Sequence, residues 1–222
     1  MRLRGAGLVV ALALAAVACG GEEETQPTAT LGPGAESPLQ AVDELVEHLD
    51  TPDFAAAAAL AVPNHAALAS LAESATFKEV AEALRLGDAD VAANFWSGFA
   101  QASSTFFDGE VSTADGPPTN EQGVGFHTVV IMSEAGGRRE VLVRDVDGYR
   151  IDLFASFGGG LAARMIGPVE RLLVTDTEDA RLILDELEAI VPSLAAAAGA
   201  SGAPPEASQH LIQLIELITR IG

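Results

Sequence analysis

Between Val124 and Phe154 the spacing of apolar residues changes, and that change limits the folds open to this chain. On either side of the stretch, apolar positions recur every three or four residues, as one face of an α-helix requires. Within it, β-branched and aliphatic residues run in short segments broken by glycine-containing turns. Val124 to Met132 is one segment, Glu140 to Arg144 a second and Tyr149 to Phe154 a third, with Gly136-Gly137 and Asp147-Gly148 between them. Turns this short make successive strands antiparallel, because a parallel pair needs a crossover of about a dozen residues or more. An earlier strand is expected over 105–112, before a polar loop over 115–122. The pattern therefore predicts an antiparallel meander of about four strands.

Helix signals precede the meander and follow it. Ser37-Pro38-Leu39-Gln40 offers a capping side chain, a proline at the first helical position and a glutamine at the third. Leu39, Val42, Leu45, Val46 and Leu49 then share one face. Thr51-Pro52 opens an alanine-rich helix over 53–61, Pro63 another short one, and Thr76-Phe77-Lys78-Glu79 is a capping box. Asp88 heads a helix that carries Asn94, Phe95, Trp96 and Phe99. Beyond Gly158-Gly159-Gly160, which reads as a hinge, the helical period returns over 161–166 and restarts at Pro168. Thr175-Asp176-Thr177-Glu178 caps a further amphipathic helix with Leu182, Ile183, Leu187, Ile190 and Val191, which Pro192 ends. The last helix follows Pro204-Pro205. Its Leu211, Ile212, Leu214, Ile215, Ile218 and Ile221 form a face too apolar to stand in water, so it must pack on the sheet domain or on a partner. The expected fold class is α+β: N-terminal helices packed on a curved antiparallel sheet of about four strands, followed by a helical C-terminal extension.

The start of the chain bears on location. Arg2 and Arg4 are the only charges before Glu22, and an apolar run, Gly5 to Ala18, separates them from Cys19. A basic segment, a short apolar segment and small residues at the cut form a secretory signal. The run is too short for a comfortable membrane span. Ala16-Val17-Ala18-Cys19 resembles the bacterial lipobox, in which the cysteine becomes the mature N-terminus and carries lipid on its sulfur and amine. The same letters fit an Ala-x-Ala cut by ordinary signal peptidase, which would leave a free thiol, and they fit a cysteine with no special role. The lipobox reading is favoured because the only Cys of the chain lies directly after the apolar run, with a polar stretch beyond it. Several acyl chains, each CH₂ contributing ~0.8 kcal/mol, would then hold the protein at the cell membrane on its extracytoplasmic side. The expected organisation is a lipoprotein signal peptide over 1–18, a flexible tether over 19–36 rich in Glu, Gly, Pro and Thr, an α+β domain over 37–157 and the helical extension over 158–222.

Charge and cysteine content exclude some functions. Twelve Lys and Arg stand against 32 Asp and Glu, a formal charge of −20, which argues against nucleic acid as a partner. One cysteine leaves no intramolecular disulfide and no multi-cysteine zinc or iron–sulfur site. The four histidines, at 48, 65, 127 and 210, have no i, i+4 partner. No serine sits in GxSxG, and the glycine triplet has neither phosphate-loop spacing. Asp88-Ala89-Asp90 and Asp145-Val146-Asp147-Gly148 lack the closing glutamate of a calcium loop. No cofactor is implied.

Helices followed by a curved meander are the element order of the NTF2-like α+β cone. Asp147-Gly148-Tyr149-Arg150-Ile151-Asp152-Leu153 resembles the late hairpin of NTF2-like domains in bacterial lipoproteins, where an aspartate-glycine turn precedes an aromatic residue and a strand. The likeness covers about residues 38–157. It implies a cone-shaped fold. It implies no single activity, because isomerases, cyclases, binding modules and inert scaffolds share that fold.

Three polar or aromatic residues are candidates for a cavity in the sheet. His127 alternates with Val129 and Ile131, and Asp152 with Phe154. If both strand faces line the concave side, an aspartate base and a histidine meet in an apolar cavity, where burial raises the carboxyl pKa. The competing reading turns both outward or uses them for structural hydrogen bonds. Trp96 would floor a ligand pocket or, with Phe95 and Phe99, form the core of a helix lying across the sheet. Without an assembled catalytic set, the expected function is a non-catalytic, lipid-anchored envelope protein. It would bind a small apolar ligand or a protein partner through the sheet cavity or the last helix. The alternatives are a small NTF2-like isomerase or lyase using Asp152 or His127, and a structural protein that self-associates through the last helix.

Overall fold

The computed structural model describes residues 33–86, 89–104, 110–134, 137–200 and 204–220. Cys19, Asp88, Gly136, Ile221 and most of the expected strand over 105–112 lie outside them. The fold is α+β, with N-terminal helices, a curved antiparallel sheet and C-terminal helices in that order.

The helices begin where their capping side chains stand. Ser37 accepts the Gln40 N–H at the head of α1 (Pro38–Asp50), and Asp53 accepts the Ala56 N–H at the head of α2 (Phe54–Ala59). A short α3 (His65–Ala69) leads through a 3₁₀ turn to α4 (Phe77–Leu86). There Thr76 and Glu79 close the capping box reciprocally. Glu79 Oε2 accepts the Thr76 N–H at 2.8 Å, and Thr76 Oγ1 accepts the Glu79 N–H at 3.3 Å. Helix α5 (Ala89–Ser103) completes the N-terminal layer.

The sheet order is β1-β3-β4-β5, with all pairs antiparallel: β1 (Val111–Asp115), β3 (Val124–Ser133), β4 (Arg138–Asp145) and β5 (Tyr149–Ile151). A fifth strand, β2 (Thr119–Glu121), pairs with the start of β3, inside the stretch expected to be loop. Gln122 and Gly123 both have positive φ, 49° and 86°, so a two-residue turn joins β2 to β3. Asp147 and Gly148, at 51° and 93°, lie in the three-residue turn Val146–Gly148 between β4 and β5, where their sequence predicts a tight turn.

One sheet face carries Val129, Ile131, Val141, Val143 and Ile151, almost wholly buried, and α1 crosses it with Val42 and Leu45. The other face carries Phe126 and Leu142, which meet Ala155 and Ala196. The free edge of β5 is covered by two other segments. Ala35 pairs with Tyr149, and Ala61 with Ile151. Ala35 is buried, so the fold begins before Ser37, within the stretch assigned to the tether.

Three sequence expectations are corrected after β5. The strand expected to run to Phe154 stops at Ile151, because Asp152 accepts the Ala155 N–H and caps a helix there. That helix, α6 (Leu153–Leu173), runs through Gly158-Gly159-Gly160 and Pro168, so the triplet is no hinge and the proline no restart. Pro192 opens α8 (Val191–Gly199) rather than ending α7 (Glu178–Ala189). The last helix, α9 (Pro205–Thr219), packs on α6 and α8. Its Leu211, Leu214, Leu217 and Ile218 are buried in the same core as the sheet, while Ile212 stays exposed.

Candidate functional site

The N-terminus of α6 gathers the densest buried polar group among the described residues. Asp152 is fully buried. Its Oδ1 accepts the Ala155 N–H at 2.9 Å, and its Oδ2 accepts the Ser193 hydroxyl of α8 at 2.7 Å. His65, the first residue of α3, brings Nδ1 to 3.5 Å from Oδ1. Arg144, on β4, brings one terminal nitrogen to 3.6 Å from Oδ2. Asp152 therefore joins five elements: it ends β5, heads α6, and touches α3, β4 and α8.

Backbone geometry explains why β5 gives way to α6 here. The Asp152 N–H donates to the Leu142 carbonyl at 2.8 Å, which completes the β4–β5 ladder by one step. At the next turn the Ser156 hydroxyl takes over: it accepts the Leu142 N–H at 2.8 Å. The strand's last ladder positions are thus satisfied by a helix side chain. Arg150, on β5, is also buried; it donates from Nε to the Val146 carbonyl at 3.1 Å and from its terminal nitrogen to the Ala59 carbonyl.

His65 is only 2% exposed, and its Nδ1 is buried without a hydrogen-bond partner among the described residues. The ring stands edge-on to Phe154, with centroids 5.1 Å apart. Burial lowers the pKa of His65 from the ordinary histidine value; Asp152 opposes that shift and Arg144 adds to it. The imidazole enters from a strained position: Asn64 has a positive φ of 68°, and its side-chain amide donates to Glu186 of α7 at 3.0 Å.

His127 does not join this group. It pairs with Val143, which pairs with Ile151, so His127 belongs to the face opposite Asp152. The side chain is exposed, and its ring stands edge-on to Tyr149 at 5.3 Å. His127 lines an open pocket of about 450 Å³ at the end of the sheet, with Pro118, Val124, Phe126, Arg144 and Asp145. Arg144 thus belongs to both places, forming a wall of the pocket and a neighbour of Asp152. Trp96 lies elsewhere. It is fully buried against Phe95 and Phe99, with Phe99 against Phe157 in turn, so it is core rather than pocket floor.

The sequence brought Asp152 forward and missed three of its neighbours. Ser193 and Arg144 carry no motif, and His65 was one of four unpaired histidines. The only local clue was Asp152 itself, a capping residue followed three positions later by the amide it binds. Cys19 and residues 1–18 lie outside the described residues. Among the described residues no helix is long and apolar enough to cross a membrane.

The chain matches no family model, and no curated protein and no solved structure is similar to it.

Proposed function

We propose that the chain is a lipid-anchored protein of the cell envelope, held on the extracytoplasmic side through Cys19. Its folded part is a non-catalytic module that binds a small ligand in the pocket beside β2 and β3. One observation carries the binding half of this reading. The two groups that an acid–base enzyme would need are on opposite faces, His127 in an open pocket and Asp152 buried. Both oxygens of Asp152 accept hydrogen bonds from the protein. A general base must reach the proton it abstracts, and a sealed helix cap does not. The pocket, in contrast, is open, mixes apolar and polar walls, and falls in the size range of about 300–1,000 Å³ usual for small-molecule sites.

An NTF2-like ancestry for residues 37–157 is part of the proposal. Its support is the order of α1–α5 before the meander and the Asp147-Gly148 turn. The anchoring half rests on the basic residues, apolar run and lone cysteine at the start of the chain.

Each half has its own test. Fatty-acid labelling should mark the wild type and leave Cys19→Ala unmarked; equal labelling removes the anchor. Native mass spectrometry of protein extracted from its own membrane should show a bound small molecule, and Gly125→Leu should lose it. A Cβ built at Gly125, a lining residue of the pocket, meets nothing within 4 Å, so the backbone there has room to carry a side chain. An empty wild-type protein would count against the binding module.

A further inference from the structure

The pocket beside β2 and β3 contains a cation whose donors no described residue takes up. Arg144 has a guanidinium with five N–H donors. Among the described residues its one charged contact is Asp152, at 3.6 Å, which is beyond hydrogen-bond reach. Asp152 has hydrogen-bond partners of its own besides this ion pair. The carboxylate already accepts the Ala155 N–H and the Ser193 hydroxyl, and it caps a 21-residue helix whose N-terminus favours negative charge. The Arg144 side chain is about a quarter exposed and lines the pocket, and no hydrogen bond to a described residue occupies its donors.

We propose that this pocket takes a small organic monocarboxylate, with its two oxygens on the Arg144 guanidinium and its apolar part against Val124, Phe126 and Pro118. The assignment rests on reading the pocket as a ligand site, and names the class of ligand. The planar fork of a guanidinium matches a carboxylate bidentately, which a point-like ammonium does not. The floor is open to close approach, since neither Gly123 nor Gly125 has an atom within 4 Å of the place its Cβ would occupy. Charge sets the upper limit on the ligand. Asp145 lines the same pocket, and the whole chain has a formal charge of −20. A second negative charge on the ligand would therefore meet repulsion that a single carboxylate, seated on the cation, avoids.

The test uses the full-length acylated chain in neutral detergent, labelled with ¹⁵N-glycine, so that the Gly123 and Gly125 amides report on the pocket. Acetate, butyrate and benzoate are titrated against benzamide, the neutral match for benzoate. At least one carboxylate should shift both amides saturably, benzamide should not at the same concentration, and Arg144→Gln should weaken the carboxylate about tenfold or more. Arg144→Lys, which keeps the charge without the fork, should recover only part of that loss. If Arg144→Gln disturbs the glycine spectrum outside the pocket, Gly125→Leu replaces it and should abolish the shift of the Gly123 amide, the pocket glycine that stays labelled. Equal binding of benzoate and benzamide, unaffected by Arg144→Gln, overturns the carboxylate assignment and leaves the pocket standing as a ligand site. Absence of saturable shifts with all three carboxylates overturns the assignment too; the pocket reading itself stands or falls on the co-purified ligand and its loss in Gly125→Leu.

Discussion

The Asp152 side chain holds the meeting point of five elements with two hydrogen bonds, and both make predictions. Replacing it with alanine removes a helix cap, a loss of about 1 kcal/mol, and strands the buried Ser193 hydroxyl at a further cost of about 1–3 kcal/mol. Asp152→Ala should therefore lower stability by about 2–4 kcal/mol in urea unfolding, and a change below about 0.5 kcal/mol would show the cap to be dispensable. His65 makes a prediction of opposite character, about pH. Burial lowers its folded-state pKa, whereas the unfolded chain takes up a proton near the ordinary value of about 6.5. Below that pH the unfolded state binds more protons, so this contribution to stability is present above pH 6.5 and is lost as pH falls toward the lowered value. The slope is at most about 1.4 kcal/mol per pH unit for one proton. His65→Gln should lose less stability than the wild type between about pH 7.5 and about pH 5, measured as the shift in urea midpoint. An identical loss in both proteins would sink the assignment. Neither His65 nor Ser193 was legible beforehand. Periodicity tells which face of an element is apolar, and both residues reach Asp152 from remote segments whose packing no local pattern encodes. Asp152 was visible as chemistry but misplaced. Tyr149 to Phe154 reads as one continuous strand, whereas the capping bond of Asp152 ends the strand at Ile151.

Helix α6 shows the same competition at the scale of an element. Three consecutive glycines lower helix propensity by about 1 kcal/mol each relative to alanine, which is why they read as a hinge. Packing overrides that preference. A Cβ built at Gly158 would stand 3.3 Å from Leu211 and 3.5 Å from Ala197, so the absent side chain lets α8 and α9 approach α6 closely. Gly160 has no such role: it is exposed, and a Cβ there meets nothing within 4 Å. The two positions should respond in opposite ways. Gly160→Ala should stabilise by about 0.5–1 kcal/mol, because the alanine restricts the unfolded chain and meets no neighbour. Gly158→Leu should destabilise by about 1–3 kcal/mol through overpacking against Leu211. Thermal unfolding of the two variants measures both; stabilisation by each, or destabilisation by each, would mean that the triplet works as a hinge after all. The other elements were legible where two signals coincided. Ser37 with Pro38, the Thr76–Glu79 box and the Asp147-Gly148 turn all stand where the sequence puts them. The short β2 was hidden because its three residues are polar or half-buried and only its Gln122-Gly123 turn marks it.

The whole molecule was legible as a class because the change from helical to alternating period is a property of many residues at once, and no single misread turn erases it. Its boundary at the N-terminus was not, because the composition of residues 33–36 says nothing about pairing: Gly34 and Ala35 look like linker, yet Ala35 forms an isolated antiparallel bridge with Tyr149. The Gly34 N–H donates to the Asp147 carbonyl at 2.9 Å, the Ala35 N–H to the Tyr149 carbonyl at 3.0 Å, and the Tyr149 N–H to the Ala35 carbonyl at 2.9 Å. A Cβ on Gly34 would lie 2.7 Å from the Gly148 carbonyl carbon, so the two backbones cross at a distance only glycine permits. These bonds close the edge of β5 directly beside Arg150 and Asp152, which ties the start of the folded chain to its buried polar centre. Three backbone hydrogen bonds at about 0.5–1.5 kcal/mol each, together with the burial of Ala35 and set against about 1–2 kcal/mol for each residue ordered, leave a net contribution of at most about 2 kcal/mol. A chain starting at residue 33 should therefore unfold like the full-length protein, and one starting at residue 37 about 2–8 °C lower, at roughly 2–4 °C per kcal/mol for a domain of this size. Gly34→Val in the longer chain should reproduce most of that drop, since it keeps the residues and blocks the crossing. Equal melting temperatures for all three would make the pairing of Ala35 with Tyr149 a passive contact and return the start of the fold to Ser37.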